Sequence, residues 1–374
     1  MDFNHTEDRR MLEDTLSRYV REQYSHDVRM ELAQSDRGFS AEHYSALCEL
    51  GIAGALLPES VGGFGGAGYD LAVVFEQLGR GLVVEPFLAS SVLSARLLAT
   101  LAADTQAELL SGAIDGSRQL ALAHAETESR YELNRVATTA KSAGDNWVLN
   151  GHKALSLNAD SADMLLVSAR TGGDTDSEAG ISVFLVDPSA AGVEVKSYPT
   201  VDGYRAADVV LKDAQAQAIL GNPGDAYEAI EAAVAAGIVA LCAEALGAME
   251  VCKETTLEYL QTRKQFGVPI GKFQALQHRM VDVLIEIEQA RSAVINAAGN
   301  LESERRTRER HVSAAKNLIG RAARLVAEES IQMHGGIAMT WEYSLPHYAK
   351  RLIMLDHLLG DTDHHLERFI RFSR

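Results

Sequence analysis

Apolar residues recur along the first third of the chain at helical rather than strand spacing. Met11, Leu12, Leu16 and Tyr19 follow a helical period, and Leu47, Leu50 and Ile52 close a second such stretch. A stripe of this kind predicts amphipathic helices. A further helix is predicted from near Tyr69 to the breaker Gly79-Arg80-Gly81, and residues 88–113 continue helical. Between them, Gly63-Phe64-Gly65-Gly66-Ala67-Gly68 formally matches G-x-G-x-x-G. A dinucleotide-binding turn needs a strand before that motif and a βαβ unit around it. Here Pro58-Glu59-Ser60 intervenes and the flanks are helical, so the sequence predicts a Gly-rich bend between helices.

The pattern changes at Arg118. Leu120-Ala121-Leu122-Ala123, Val136-Ala137-Thr138-Thr139-Ala140, Trp147-Val148-Leu149, Met164-Leu165-Leu166-Val167 and Ile181-Ser182-Val183-Phe184-Leu185-Val186 are short β-like runs. Gly192-Val193-Glu194-Val195 and Asp208-Val209-Val210-Leu211 add two more, and Asp145-Asn146, Asn150-Gly151 and Asp187-Pro188 punctuate the series. The runs predict a small antiparallel barrel or sandwich of about 100 residues. The cluster Gly221-Asn222-Pro223-Gly224 ends it, and helical patterns return to the C-terminus, predicting a four-helix bundle with a short extra helix. The fold class read from this order is α+β, with a helical segment 1–117, a β segment 118–221 and a helical bundle 222–374. No internal repeat or low-complexity tract interrupts it.

Composition narrows the function classes. The chain has 374 residues, enough for a large core and more than one domain. Lys plus Arg total 35 against 52 acids, a formal charge of −17, so no general basic surface for nucleic acid is expected and any phosphate site must be local. Three cysteines, Cys48, Cys242 and Cys252, with no C-x-x-C, fit free thiols in a reducing compartment. The start, Met1-Asp2-Phe3-Asn4-His5, shows no basic n-region or apolar h-region. The longest apolar run, Ala232 to Ala243, is too short to span a bilayer. A cytoplasmic protein with no membrane segment is the expectation.

One stretch stands out between two Pro-free helical patterns: Arg263-Lys264-Gln265-Phe266-Gly267-Val268-Pro269-Ile270-Gly271-Lys272-Phe273-Gln274. Gly267 and Pro269 break the helical pattern there, predicting a tight helix–helix corner that presents Arg263, Gln265, Phe266 and Gln274. An Arg fork suits phosphate and a Phe ring suits stacking on a flat heterocycle. The same composition also suits a solvated corner, because surface Arg is common.

This stretch resembles the R-K-x-F-G…Q signature of the acyl-CoA dehydrogenase family. Gln332-Met333-His334-Gly335-Gly336-Ile337-Ala338 resembles that family's Q-x-x-G-G-x-G turn, and Leu57-Pro58-Glu59-Ser60-Val61-Gly62-Gly63-Phe64-Gly65-Gly66 resembles its P-E-x-x-G-G-x-G. Their order and spacing cover nearly the whole chain. The resemblance implies the helix–sheet–helix architecture and FAD bound between the sheet and the bundle, with its adenosine–pyrophosphate end held by a neighbouring subunit. On that reading Arg263 pairs with pyrophosphate, Gln265 and Phe266 line it, and Gln274 reaches the adenine side. Gln332, Gly335 and Gly336 bring backbone close to the ribityl–pyrophosphate. Ala338 stands where the family has a third Gly.

Other positions depart from the family. Asn150-Gly151-His152-Lys153 is followed by Ala154-Leu155-Ser156-Leu157, where members carry Trp-x-Thr; Leu155 replaces the Trp, and Leu157 replaces a Thr that supports flavin N5. Leu157 has no donor to give. Glu126-Thr127-Glu128-Ser129-Arg130 stands where a T-E-x-x-x-G-S-D run is usual and lacks the Gly-Ser-Asp. The family's chemistry, removal of the α-proton of an acyl-CoA with β-hydride transfer to flavin, needs a carboxylate. The two positions that carry it fall on Leu359 and Gly237 here. Asp361 lies close to the first, and Glu231 and Glu244 lie about two helical turns either side of the second. Asp361 also suits a helix N-cap. Asp363-His364-His365 reads as polar surface or subunit contact, without the E-x-x-H repeat of a diiron bundle.

Three readings follow. In the first, the chain completes the FAD site of a second acyl-CoA dehydrogenase subunit that supplies the Glu, in a dimer of dimers. His334-Gly335-Gly336-Ile337-Ala338-Met339-Thr340-Trp341-Glu342 resembles the H-G-G-I-G-F-T-W-E of such bacterial partner subunits, which implies a bulky acyl-CoA such as a steroid side-chain thioester, with electron-transfer flavoprotein or a similar acceptor. In the second, a self-sufficient homo-oligomer uses Asp361 as a displaced base. In the third, the fold survives as a flavin-free binding or scaffold protein.

Overall fold

The computed structural model describes residues 6–144 and 146–374, so Met1 to His5 and the turn position Asp145 lie outside the described residues. The expected order of helices, sheet, helices is present. The first helices are α1 (Glu7–Gln23), α2 (His26–Gln34), α3 (Ala41–Glu49), α4 (Ile52–Ala55) and α5 (Gly68–Gly81). After a π-helical turn at Leu88–Ala95 come α6 (Arg96–Ala102) and α7 (Ala107–Asp115). Of the α1 stripe, Leu16 is fully buried whereas Met11 is 63% exposed. The Gly-rich stretch is a bend, as predicted: Gly62 and Gly66 have φ of 90° and 86°, and the Phe64 amide donates to the Gly54 carbonyl at 3.0 Å.

The sheet has eight strands: β1 (Leu120–Ala123), β2 (Thr139–Ala143), β3 (Asn146–Leu157), β4 (Met164–Arg170), β5 (Ile181–Val186), β6 (Val193–Pro199), β7 (Arg205–Ala216) and β8 (Ala218–Leu220). Their order is β6-β7-β3-β2-β4-β5-β8, with β1 beside β4. The sheet is mixed rather than antiparallel throughout, because β1 pairs with β4 in parallel and β2 touches β4 in parallel at Thr139 and Arg170. Val209 and Leu211 of β7 share one core with Phe184 and Val186 of β5, so the sheet curls over onto itself.

The C-terminal helices are α8 (Tyr227–Thr262), α9 (Gln274–Gly299), α10 (Arg305–His334), α11 (Leu345–His357) and α12 (Thr362–Ser373). α8 is long and apolar enough to cross a membrane, but 94% of its most apolar window is buried, as befits a core helix. By packing, the chain divides into two units. One takes in the chain up to Glu31, Ala67–Val83 and Ile238–Arg374; the other takes in Leu32–Gly66 and Val84–Gly237. In the first unit, α5 and α8 approach through paired glycines. A Cβ on Gly79 would lie 2.1 Å from the Glu244 carbonyl oxygen, and one on Gly247 would lie 1.9 Å from that of Glu76. Arg351 of α11 grips Glu244 of α8 through two bonds of 2.6 and 2.9 Å, both side chains being buried.

Candidate cofactor and catalytic site

The stretch expected to be a helix corner is a miniature β-hairpin. β9 (Lys264–Gln265) and β10 (Val268–Pro269) pair antiparallel, closed by the two-residue loop Phe266-Gly267. Both loop residues have positive φ, 53° and 83°, the geometry of a type I′ turn. Left-handed backbone is uncommon for a bulky side chain, yet Phe266 is held there with its ring 91% exposed. The hairpin is rooted where α8 ends: the Arg263 amide donates to the Tyr259 carbonyl, and the Ile270 amide to the Arg263 carbonyl, each at 2.8 Å. Phe273 meets Phe266 edge to face, with centroids 6.2 Å apart. Arg263, Gln265, Phe266 and Gln274 are all exposed.

The second stretch leaves the C-terminus of α10. Gln332, Gly335 and Gly336 are exposed, and Gly335–Met339 forms a short 3-10 turn. Gly335 needs its residue type for its backbone, φ 67° and ψ −142°. Gly336 does not: its φ is ordinary, and a Cβ there would meet nothing within 4 Å among the described residues. Ala338 is fully buried without positive φ, so a methyl group is accommodated where a Gly was expected. The hairpin and this turn belong to one packing unit, and Tyr259 near the hairpin's root stacks on His334 beside the turn, with centroids 4.4 Å apart. The sequence reading passed over that pair, although His334 lies inside a quoted motif.

Leu359, at the first position where the sequence resemblance expects a catalytic Glu, is half-buried with φ 56°. Buried Lys316 of α10 donates to the carbonyls of Leu355, Asp356 and Gly360 at 2.8, 2.9 and 2.8 Å. Burial pushes the Lys316 ammonium below its ordinary value. His365 lies at a hydrogen-bond distance of 3.0 Å from the Leu359 carbonyl through Nε2 and is buried against Ser313. It is therefore not the polar surface expected of Asp363-His364-His365; the inward face of α12 packs it onto α10. Asp361 is the N-cap of α12, its carboxylate accepting the His364 amide at 2.9 Å. At the alternative position, Gly237 is buried in α8. The acids on either side are engaged: Tyr227 Oη lies 3.3 Å from Glu231, and Glu244 is held by Arg351.

On the sheet, Leu155 sits in a bulge of β3 between Lys153 and Ser156, with φ 50° and 40% exposure. Leu157 pairs with Ala206 of β7 and is half-buried. Ser156 is buried and its hydroxyl finds no partner among the described residues. Glu126 is an internal anchor. Its carboxylate accepts from the amides of Ala137 and Thr138, the Thr138 hydroxyl and the Lys153 ammonium at 2.7, 3.0, 2.6 and 2.7 Å. Burial works to raise the Glu126 carboxyl, but Lys153 and Thr138 overcome it and hold it down at about 2. Burial lowers Lys153 to about 8 against the upward pull of Glu126. All three cysteines are free and buried.

Models of the acyl-CoA dehydrogenase N-terminal, middle and C-terminal domains match residues 6–117, 121–214 and 227–372. The chain belongs to the acyl-CoA dehydrogenase family. It is an oxidoreductase acting on acyl-CoA, and FAD is the cofactor of the family. It is 31% identical to acyl-CoA dehydrogenase IpdE2 of Mycobacterium tuberculosis, over 92% of this chain and 91% of that one. Among solved structures, it is 28% identical to a variant of the steroid acyl-CoA dehydrogenase Tcur3481-Tcur3483, with a TM-score of 0.88 and 98% of each chain covered. It is 26% identical to a chain of the ChsE4-ChsE5 complex from Mycobacterium tuberculosis, with a TM-score of 0.89, over 99% of this chain and 98% of that one.

As a dehydrogenase of this family, the chain fits FAD unevenly. The exposed Arg263 hairpin and the open space over Gly336 suit the dinucleotide end. At the positions where the sequence resemblance expects the ring to be covered, Leu155 and Leu157 supply neither an indole nor a side-chain donor.

Proposed function

We propose that this chain is the subunit of a heteromeric acyl-CoA dehydrogenase that completes a partner's FAD site and leaves the α-proton abstraction to that partner's carboxylate. The observation that carries the reading is the exposure of every grip residue: Arg263, Gln265 and Phe266 at the hairpin, Gln274 at the start of α9, Gln332 near the end of α10, and Gly335 and Gly336 in the turn. A group that serves the chain's own interior has no reason to hold a Phe ring in water at a left-handed position.

The same reading accounts for the eroded positions. Leu359 and Gly237 offer no carboxylate, and the Leu157 side chain offers no hydrogen bond to a flavin ring. Asp361 has a structural task as a cap, which weighs against its service as a displaced base. A bound FAD would supply the acceptor for the hydride from the β-carbon of the thioester. Of this chain, Arg263 supplies charge to the pyrophosphate, Gln265 and Gln274 supply hydrogen bonds toward the adenosine end, and the Gly335-Gly336 backbone allows close approach. Val281 and Ile285 stand 50% and 51% exposed on α9, apolar surface that suits a second subunit.

The relatives guide the substrate class. The steroid acyl-CoA dehydrogenase supports a bulky steroid-type acyl-CoA thioester, and the ChsE4-ChsE5 complex supports pairing of two different subunits. A caffeyl-CoA reductase–Etf complex subunit among the relatives supports electron-transfer flavoprotein as acceptor. The test is turnover of a panel of acyl-CoA thioesters with a dye acceptor. The chain alone is expected to be inactive and the co-expressed pair active; turnover by the chain alone would overturn the proposal.

A further inference from the structure

The Tyr259 ring lies over the His334 imidazole with centroids 4.4 Å apart and planes 24° from parallel. Tyr343 meets the same imidazole at 5.5 Å and 52°. His334 is the last residue of α10, buried at 4% exposure, and its Nδ1 lies 2.8 Å from the Ser330 carbonyl oxygen. A carbonyl can only accept, so Nδ1 carries a proton toward Ser330. Nε2 is buried and makes no well-aligned hydrogen bond among the described residues, although the Thr255 backbone of α8 also acts on the ring. The ring is thus anchored at one edge by its own helix and across its face by α8.

Its two neighbours in sequence and space are the roots of the grip. The Tyr259 carbonyl accepts the Arg263 amide that starts the hairpin, and the Gly335 amide next to His334 donates to Ile331 as the turn leaves α10. A hairpin with two-residue strands is not stable by itself. It takes its position from its root.

We propose that His334 is a positioning residue: its stack on Tyr259 registers the hairpin of residues 264–269 against the Gly335–Met339 turn, so that both meet the dinucleotide as one preformed surface. The ligand in this statement rests on the function proposed above; the mechanical coupling does not. A preformed surface loses less freedom on binding, so coupling raises affinity without adding a contact.

The contrast to make is between His334→Phe, which keeps a flat ring and loses the Nδ1 donor, and His334→Asn, which keeps a donor and loses the ring. Hydrogen–deuterium exchange on the chain alone reads the coupling. His334→Asn is expected to speed exchange in residues 335–343 and also in residues 263–273, and His334→Phe is expected to restore near-native exchange in 263–273. With the co-expressed partner, the Kd for FAD is expected to rise about tenfold in His334→Asn and to recover in His334→Phe. Exchange in 263–273 that ignores His334→Asn, or a Phe variant as impaired there as Asn, overturns the proposal. If His334→Asn does not fold, Tyr259→Leu against Tyr259→Phe supplies the same contrast. Native assembly that binds no FAD, with the exchange pattern intact, would refute the functional reading and leave the coupling standing.

Discussion

Asp361 caps the helix that ends the chain, its Oδ1 accepting the His364 amide at 2.9 Å. The acid two residues beyond Leu359 is therefore already in use. Asn caps a helix about as well as Asp, so Asp361→Asn is expected to leave turnover of the assembled enzyme within about twofold. Asp361→Ala is expected to lower stability by about 1 kcal/mol through loss of the cap. Steady-state kinetics and urea unfolding check both. A collapse of turnover in the Asn variant would restore Asp361 as the base.

Lys316 holds the turn that Asp361 follows. Replacing it with Met would take a donor from the carbonyls of Leu355, Asp356 and Gly360, of which Leu355 keeps the Leu358 amide at 3.4 Å. Each buried unsatisfied group costs about 1–3 kcal/mol. Urea unfolding of Lys316→Met is expected to show a loss of several kcal/mol in total, and exchange in residues 355–361 is expected to quicken. A variant of native stability would mean that the carbonyls find other donors.

Arg351 and Glu244 share two bonds inside the helical unit. Arg351→Leu strips both of these bonds from a buried carboxylate and is expected to lower stability by about 3–5 kcal/mol. Pairing it with Glu244→Leu removes that buried charge, and the double variant is expected to recover most of the loss. A double-mutant cycle by denaturant unfolding measures this. A double variant weaker than Arg351→Leu would assign the pair a role beyond charge compensation.

The Glu126 carboxyl, held at about 2 in the fold, makes stability depend on acid. In the unfolded chain it titrates at about 4.3. A depressed folded value means that the unfolded state binds more protons between those points. The stabilisation is therefore present above about pH 4.3 and is lost as pH falls through the folded value. Lys153→Met removes the ammonium that holds the carboxyl down. It is expected to lower stability at pH 7 and to flatten the fall in acid. Unfolding midpoints from pH 7 down to about 3 test it; an acid limb of unchanged slope would contradict the assignment.

How much of this was legible in the sequence differs by element. Ile181–Val186 reads as a strand because all six residues are buried, giving a run that is apolar but for Ser182. β3 was legible only at Trp147-Val148-Leu149. Its far half carries a bulge at Leu155 that breaks the alternation on which such reading depends. The parallel pairing of β1 with β4 leaves no local mark at all. At the site, the grip residues were visible as motifs, but the hairpin was not. Its loop is Phe-Gly rather than the Asn-Gly that announces a type I′ turn, and each strand is two residues long. His365 read as surface because nothing in Asp363-His364-His365 tells which imidazole faces α10. The Tyr259–His334 stack joins residues far apart in the chain, and periodicity carries no record of that pairing.

The central claim is that this chain grips FAD for a partner and does not hold the flavin ring alone. The most direct measurement is flavin content by visible absorbance, per protein concentration, of the chain purified alone and of the chain co-expressed with a candidate partner dehydrogenase. The account predicts negligible flavin alone and stoichiometric flavin in the assembly, lost again in Arg263→Ala. Full flavin occupancy of the chain alone would contradict it.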